Sequence, residues 1–402
     1  MVGGRLIFRL YLVDWSWRAL RRNRKNWLSS RFQMVNPIAE INLGRLVHNY
    51  RLIKDRVGNA EVLAVVKADG YGHGAVPVSK ALEKVGVNYF GVFSIGEALE
   101  LRNAAIKGEI IMFERLTREA VPLAVEHAIT VNVSWFGDLD LFEEICKKGG
   151  PLPKYHIKVD TGMTRLGIPH DEVASVTDRI LDKTGQQPEG IYTHLSTSDE
   201  GDLSFAYEQK TLFEDSVDQI RGICSPNWIH IANSGALVNM PDSFYNMVRV
   251  GMLFYGAKPS EEMINPLSIE PVMNFKGKIV LVRSVEAGTP ISYGALYRPE
   301  TDIMLGVIQV GFADGMPRPW FERGFVGWKG GRYKIAGRIC MDQFMVDFGD
   351  SKPSEGDTVL IWGKDDENAI PVEEISKDIG LNPYTLFTAM SGKRVERIYL
   401  NE

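Results

Sequence analysis

Short apolar runs alternate with longer amphipathic stretches from residue 37 onward. Eight of these runs are five or six residues long and rich in β-branched or aromatic residues, which is typical of strands buried in a parallel sheet. They are Val62–Val66, Tyr89–Phe93, Glu109–Phe113, Ile129–Val133, Lys154–Val159, Glu189–His194, Trp228–Ala232 and Asn246–Val250. Helical periodicity separates most neighbouring runs, as in Ile95–Lys107 and Phe205–Ile223. The alternation predicts an α/β fold with a (β/α)8 barrel of the TIM type.

A doubly wound open sheet is the rival arrangement for the same alternation. It is disfavoured because the unusual polar residues do not converge on one glycine-rich first turn, as they do in dinucleotide-binding sheets.

The pattern changes after Pro271. Shorter segments that alternate or run apolar follow, separated by glycine, proline and aspartate: Lys276–Val285, Ile303–Val310, Gly331–Arg338, Gln343–Phe348 and Thr358–Ile361. Long helical periodicity returns only near Val372–Ile379. These signals predict a β-rich C-terminal domain over 267–402 that follows a barrel over 34–266.

The N-terminal stretch 1–33 differs in charge from the rest. It has eight basic residues and one acidic residue, so its net charge is +7, against −5 for the whole chain. It also has three tryptophans, at 15, 17 and 27. We favour an upstream extension before a true start at Met34, while a disordered tail and a basic, aromatic membrane-surface or targeting segment are the alternatives.

Composition narrows the function classes. The three cysteines among 402 residues lack CxxC spacing, which argues against a disulfide scaffold or zinc site and for a cytoplasmic protein. The sequence pI of about 5.9 gives no bulk support to nucleic-acid binding. No apolar run reaches the roughly 18 residues of a membrane span. We therefore expect an enzyme that acts on a small molecule, with no metal.

Unusual residues fall where the predicted strands end. They are Lys67 after the first strand, Lys158 and Arg165 at the fifth, His194 at the sixth, Asn233-Ser234-Gly235 after the seventh and Arg249-Val250-Gly251 at the eighth. Active sites of such barrels lie at the C-terminal ends of the strands. Each residue alone has an ordinary structural explanation, but together they predict one active site.

The segment Val66–Gly74 resembles the pyridoxal phosphate attachment motif of alanine racemases. Other segments match that family in order and spacing: Lys158–Gly167, Thr193-His194, His230–Ala236, Val248–Gly256, Ser292-Tyr293-Gly294 and Gly337–Gln343. The resemblance extends over residues 36–400. It implies a barrel followed by a β-domain, and interconversion of L- and D-alanine that supplies D-alanine for cell-wall peptidoglycan.

The resemblance also assigns a cofactor site. Lys67 matches the lysine that binds pyridoxal phosphate covalently, and Arg249 matches the arginine facing its pyridine nitrogen, where related decarboxylases have a carboxylate. His194 is expected to donate a hydrogen bond to Arg249 or a nearby catalytic group. Asn233 is either part of the phosphate site or a turn residue. The residues that match the phosphate site are Tyr71, Ser234, Gly251, Met252 and Tyr384.

Catalysis in the family uses a base on each face of the substrate. Lys67 matches one base, and Tyr293 matches the other, which reaches the partner subunit's cofactor and implies a homodimer. Arg165 matches the residue that binds the substrate carboxylate and lowers the pKa of the tyrosine. The remaining matches are Met341 and Asp342, partner-chain residues at the pocket and its entrance, and Lys158, which is carbamylated in some members.

Three departures bear on these assignments. Phe312 occupies an entrance position that is usually tyrosine, and Phe113 replaces a smaller aliphatic residue near the cofactor ring. The spacing from Tyr384 to Arg394 is one residue longer than usual. A broad-specificity or serine racemase is therefore an alternative, as is a non-catalytic pyridoxal phosphate protein, although such proteins lack the β-domain.

Overall fold

A computed structural model describes residues 36–264, 266–390 and 392–401 of the chain. The N-terminal extension over 1–33 lies outside the described residues. The strands are, in chain order, β1 (Ile38–Asn42), β2 (Glu61–Val65), β3 (Tyr89–Val92), β4 (Glu109–Arg115), β5 (Ile129–Val133), β6 (Tyr155–Asp160), β7 (Ile168–Pro169), β8 (Gly190–Tyr192), β9 (Trp228–His230), β10 (Met247–Val250), β11 (Met273–Val285), β12 (Ile303–Ile308), β13 (Phe325–Trp328), β14 (Gly331–Lys334), β15 (Phe344–Asp347), β16 (Thr358–Lys364), β17 (Ala369–Ile370) and β18 (Glu396–Leu400).

The longer helical segments lie mostly between barrel strands. They are α1 (Leu43–Val57), α2 (Ala75–Lys84), α3 (Ile95–Asn103), α4 (Ala120–Glu126), α5 (Phe136–Lys147), α6 (Val173–Thr184), α7 (Ser204–Arg221), α8 (Ser234–Asn239), α9 (Val372–Ile379) and α10 (Pro383–Ala389). Lys67–Tyr71 forms a separate helical turn. None of the helices within the described ranges combines the length and apolar character that crossing a membrane requires.

Eight parallel strands confirm the predicted barrel. Strands β2, β3, β4, β5, β6, β8 and β9 pair in that order, and β10 returns to pair with β2. The barrel is nearly closed, since a backbone hydrogen bond of 2.9 Å from Arg249 to Ala232 crosses the last seam. All five residues of β5 and all four of β10 are buried, as expected for strands that are covered on both faces of a parallel sheet. This arrangement excludes the open doubly wound sheet.

The second sheet forms the predicted β-rich domain. Its strands run β14-β13-β16-β11-β1-β18, with β12 and β15 extending from β11. β1 pairs antiparallel with β11 and parallel with β18, so the first and last described strands lie side by side in this sheet.

Asn49 of α1 connects the end of the barrel to the β-domain. The fully buried side chain donates to the carbonyls of Phe254 at 3.0 Å and Glu270 at 2.8 Å, and it accepts from the Glu270 amide at 2.8 Å. Both amide hydrogens and the oxygen are therefore used, as a buried amide requires.

Gly256 at this junction gives the first prediction. Its φ of +76° is left-handed, and a Cβ would lie 1.8 Å from the Glu270 carbonyl oxygen. Gly380 has nearly the same φ and ψ, 65° and 29° against 76° and 27°, but open space around it. We expect Gly380→Ala to cost about 1 kcal/mol of unfolding free energy and Gly256→Ala about 3 kcal/mol or more. Chemical denaturation of both variants measures the difference, and equal losses would contradict the close packing.

Candidate active site

A cavity of about 520 Å³ opens at the C-terminal ends of the barrel strands. It is lined by most of the residues that the sequence singled out: Lys67, Tyr71, Lys158, Arg165, His194, Ser234, Arg249, Gly251, Met252 and Tyr384. The geometry therefore brings together side chains from six separate parts of the chain, as a barrel active site requires.

Lys67 begins an unusual left-handed turn. The next four residues, Ala68 to Tyr71, have φ angles of 52°, 53°, 61° and 52°. Residues other than glycine lose roughly 1–2 kcal/mol each in this conformation. A run of this kind persists only where the surrounding structure holds it, and such backbone strain is concentrated at functional sites.

Hydrogen bonds from two directions hold the turn. Ala68 donates its backbone N–H to Glu97 Oε1 at 2.7 Å, while Glu97 Oε2 accepts from Phe93 at 2.6 Å. The ring of the fully buried His73 lies 2.9 Å from the Tyr71 carbonyl, to which its Nδ1–H donates. Our sequence interpretation missed Glu97, although the capping box Ser94-x-x-Glu97 at the start of α3 was a visible signal.

The Lys67 amine lies in an environment that favours its neutral form. Burial is the largest cause that lowers its pKa, and the charges of Arg165 and Arg249 add to the effect, while Glu97 opposes it. A neutral amine is the nucleophilic form of lysine. The cavity thus activates Lys67 for attack on a carbonyl group.

Arg249 is buried at the end of β10 and is held by backbone carbonyls. Its guanidinium donates to the carbonyls of Thr193 at 2.7 Å and His230 at 2.9 Å. Nη2 also lies 3.3 Å from His194 Nδ1. A guanidinium has no acceptor, so His194 accepts this hydrogen bond, and our expectation that it donates to Arg249 is wrong. Burial lowers the pKa of Arg249 to about 10, which leaves it charged at neutral pH.

A chain of neutral histidines lies behind Arg249. His230 Nδ1 is 3.2 Å from Arg249 Nη1, and His230 Nε2 is 2.9 Å from His156 Nδ1. Since Arg249 only donates, His230 carries its proton on Nε2 and donates to His156. Burial is the main reason why the pKa of His156 falls to about 3 and that of His230 lies well below its usual range.

Lys158 and Tyr192 lie on the floor of the cavity. Burial first, and the charge of Arg165 second, lower the pKa of Lys158 to about 8. The Tyr192 ring centroid is 5.8 Å from Lys158 Nζ and 5.1 Å from Arg249 Cζ, distances at which the ring face stabilises both cations. Sequence reasoning missed Tyr192, because nothing in its local pattern separates it from an ordinary buried strand residue.

At the end of the cavity formed by Ser234 and Gly251, a ligand can approach the backbone closely. Ser234 begins α8, and its Oγ accepts from the Gly251 amide at 3.2 Å. A Cβ on Gly251 would lie 2.7 Å from Tyr71 Oη, so a larger residue there would force the Tyr71 side chain to move. Asn233 lines the cavity and also caps α8 by accepting from Ala236 at 3.0 Å. The Tyr384 ring lies 5.7 Å from that of Tyr71, which supports its match despite the altered spacing.

Three predicted residues do not line this cavity. Tyr293 is 65% exposed and Met341 is 55% exposed. Asp342 accepts from Arg394 at 2.6 Å. All three lie in the β-domain, away from the cavity of their own chain.

Both unusual phenylalanines have clear positions. Phe113 lines the cavity, and its ring occupies the space where a Cβ on Gly91 would come within 2.8 Å. Phe312 is 40% exposed, and its ring centroid lies 5.7 Å from Arg318 Cζ. Phe113 therefore takes up space in the cavity, whereas Phe312 lies outside it.

Comparison with known families decides the relationship. The model of the alanine racemase N-terminal domain matches residues 41–259, and that of the alanine racemase C-terminal domain matches residues 272–399. The chain belongs to the alanine racemase family. It is thus an isomerase of the amino-acid racemase class.

Individual alanine racemases agree with this assignment. The chain is 37% identical to the alanine racemase of Desulforamulus reducens over 375 residues, which are 91% of this chain and all of that protein. The Clostridium difficile alanine racemase structure has 33% identity and a TM-score of 0.86, with 92% and 97% of the two chains covered. That of Bartonella henselae, described with covalently bound pyridoxal phosphate, has 28% identity and a TM-score of 0.81, with 91% and 99% covered.

The buried histidines make the stability of this alanine racemase family member depend on pH. A histidine whose folded pKa is depressed contributes stability that is present above its unfolded pKa of about 6.5 and is lost as the pH falls. We expect His156→Gln to reduce the pH dependence of the unfolding free energy between pH 6 and 4 by about 1.4 kcal/mol per pH unit. Urea titrations measure this dependence. His48→Gln, at an exposed histidine, is the control, and equal effects would contradict the expectation.

Proposed function

We propose that the protein interconverts L-alanine and D-alanine with pyridoxal phosphate as its cofactor. The observation that carries the proposal is Lys67, an amine with a lowered pKa in the cavity shared by Arg249 and the glycine-lined end at Gly251. The D-alanine product would supply cell-wall peptidoglycan. We further propose a cytoplasmic location, with a barrel over 34–266 and a β-domain over 267–402.

The residues of the cavity fit this cofactor. Lys67 would hold its aldehyde carbon covalently, and the missing Cβ at Gly251, next to Tyr71 Oη and Ser234 Oγ, leaves room for a phosphate. The N-termini of α8 and of the short helix Met252–Tyr255 adjoin this end of the cavity, which favours an anion. When bound, pyridoxal phosphate supplies an electron sink for negative charge at the substrate α-carbon.

Arg249 would direct the outcome of the reaction. Its guanidinium stays charged at neutral pH and presents only donors, so it would disfavour a proton on the pyridine nitrogen of a bound cofactor. His194 supports this role by accepting from Arg249. Weaker delocalisation of negative charge would favour reprotonation at the α-carbon over transamination.

Arg165 would bind the substrate carboxylate, with Lys158 supporting it. Both side chains line the same cavity, and the Arg165 charge contributes to the lowered pKa of Lys158. With a pKa of about 8, Lys158 is neutral in part at physiological pH. That neutral fraction is the form able to accept carbon dioxide as a carbamate.

Tyr293 would be the second base and would act in the partner's cavity. Its exposed side chain shares the β-domain surface with other exposed apolar residues, namely Leu296, Phe312 and Met341. Three more exposed apolar residues lie beyond the C-terminal ends of barrel strands, namely Phe93 and Trp135 on loops and Phe205 in the first turn of α7. Exposed apolar residues in both regions support a two-fold homodimer in which each β-domain covers the partner's cavity. Met341 and Asp342 would contribute to that shared site.

Optical rotation tests the proposed activity. Full-length protein supplied with pyridoxal phosphate should carry L-alanine and D-alanine to the same racemic end point. Lys67→Ala should lower the rate by about 10³-fold or more, because general acid–base and covalent contributions are lost together. The enantiomers of serine, lysine and arginine in parallel reactions measure substrate breadth. An unchanged rotation of alanine despite bound cofactor would exclude an alanine racemase.

A mixing experiment tests the shared site. Co-expressed Lys67→Ala and Tyr293→Phe chains form mixed dimers in which one cavity has both defects and the other has neither. We expect about a quarter of wild-type activity per chain, because half of the dimers are mixed and each has one intact cavity. Replacing the Tyr293→Phe chain by the double variant Lys67→Ala/Tyr293→Phe is the control that cannot restore a cavity. No recovery in the first mixture would mean that Tyr293 serves its own chain or none.

A further inference from the structure

The C-terminal end of the chain packs directly against the left-handed turn that carries Lys67. A Cβ on Gly72 would lie 2.0 Å from the Phe387 carbonyl oxygen, and one on Gly74 would lie 2.1 Å from Tyr399 Oη. Phe387 belongs to α10 and Tyr399 to β18. Two β-domain elements therefore contact the turn so closely that only glycine fits on its side.

An ion pair fixes this contact. Asp69, inside the turn at a φ of 53°, lies with Oδ2 2.7 Å from Arg397 Nη1 of β18. The other oxygen, Oδ1, accepts from the Ala75 amide at 2.9 Å. One carboxylate thus joins the strained turn, the start of α2 and the last strand of the β-domain.

The ion pair between Asp69 and Arg397 is poorly suited to stabilising the fold by itself. The Arg397 side chain is 19% exposed, and its Nε is buried without a hydrogen-bond partner in the described part of the chain. A buried unsatisfied donor reduces the gain from a partly buried ion pair. This observation favours a role for the pair in the shape of the turn.

We infer that Asp69 and Arg397 are a positioning pair through which β18 holds the turn in its cofactor-binding form and sets the affinity for pyridoxal phosphate. The inference rests on the proposed function. The left-handed backbone is unfavourable on its own, so loss of the pair lowers the fraction of molecules with a competent turn. The apparent dissociation constant rises in inverse proportion to that fraction.

The chain contains a matched control pair. Lys276 Nζ lies 2.7 Å from Glu40 Oε2, with 17% and 24% of the side chains exposed. It joins β11 to β1, the strand next to β18, but it has no contact with the turn among the described interactions. Lys276→Met therefore removes a similar ion pair from the same sheet.

The affinity of the full-length chain for pyridoxal phosphate tests the inference, measured by absorbance after the cofactor is removed and added back. Arg397→Met should weaken binding about tenfold if the competent fraction falls to about a tenth, while Lys276→Met should match the wild type. Arg397→Lys should recover part of the affinity, since an ammonium retains one contact with Asp69. The double variant Asp69→Asn/Arg397→Met should bind no more weakly than the weaker single variant.

Amide hydrogen exchange gives a second measurement, without cofactor. Exchange over 67–74 should be faster in Arg397→Met and in Asp69→Asn but unchanged in Lys276→Met. Asp69→Asn keeps the oxygen that accepts from Ala75 and leaves β18 intact, so it tests the inference even where Arg397→Met does not fold. A wild-type chain that fails to bind pyridoxal phosphate would refute the proposed function. Normal wild-type binding, with Arg397→Met and Asp69→Asn both equal to Lys276→Met, would refute only the positioning role.

Discussion

The left-handed turn after β2 is the constraint on which the active site depends. It determines at once where the Lys67 amine and the Tyr71 hydroxyl lie, because both leave the same short stretch of backbone. Its unfavourable φ angles cannot be sustained locally. Glu97 holds it from the first turn of α3, and Arg397 contacts it from the last strand. The position of the lysine is therefore a property of the whole described fold.

The second organising feature is the positive charge of the cavity, to which the left-handed turn adds Lys67. The turn directs Lys67 into a cavity that already contains Lys158, Arg165 and Arg249. Burial first, and the charges of the neighbouring cations second, lower the pKa of both lysines. Anionic groups on a ligand would relieve the repulsion, so one arrangement both activates an amine and favours a phosphate and a carboxylate.

Sequence periodicity predicted the barrel well because its parallel strands are buried on both faces. Ile129–Val133 has the predicted bounds, whereas Gly190–Tyr192 is shorter than expected because the chain leaves the strand before His194. Strands β1 and β18 were not predicted, since they pair with each other from distant parts of the chain and β18 has no fully buried residue. Most residues of the cavity could be predicted, because they belong to sequence motifs at the ends of the barrel strands. Arg397 has no local signal, because its role depends on a tertiary contact.

The β-domain has two distinct relationships to catalysis under these proposals. Tyr384 and Arg397 act on the cavity of their own chain, where they line it or support its turn. Tyr293 and Met341 face solvent in a single chain and would act on the partner's cavity. A barrel without this domain would therefore lose support for Lys67 and the second base together. That double dependence explains why the residues of the β-domain, as much as those of the barrel, distinguish a racemase from a barrel that only binds the cofactor.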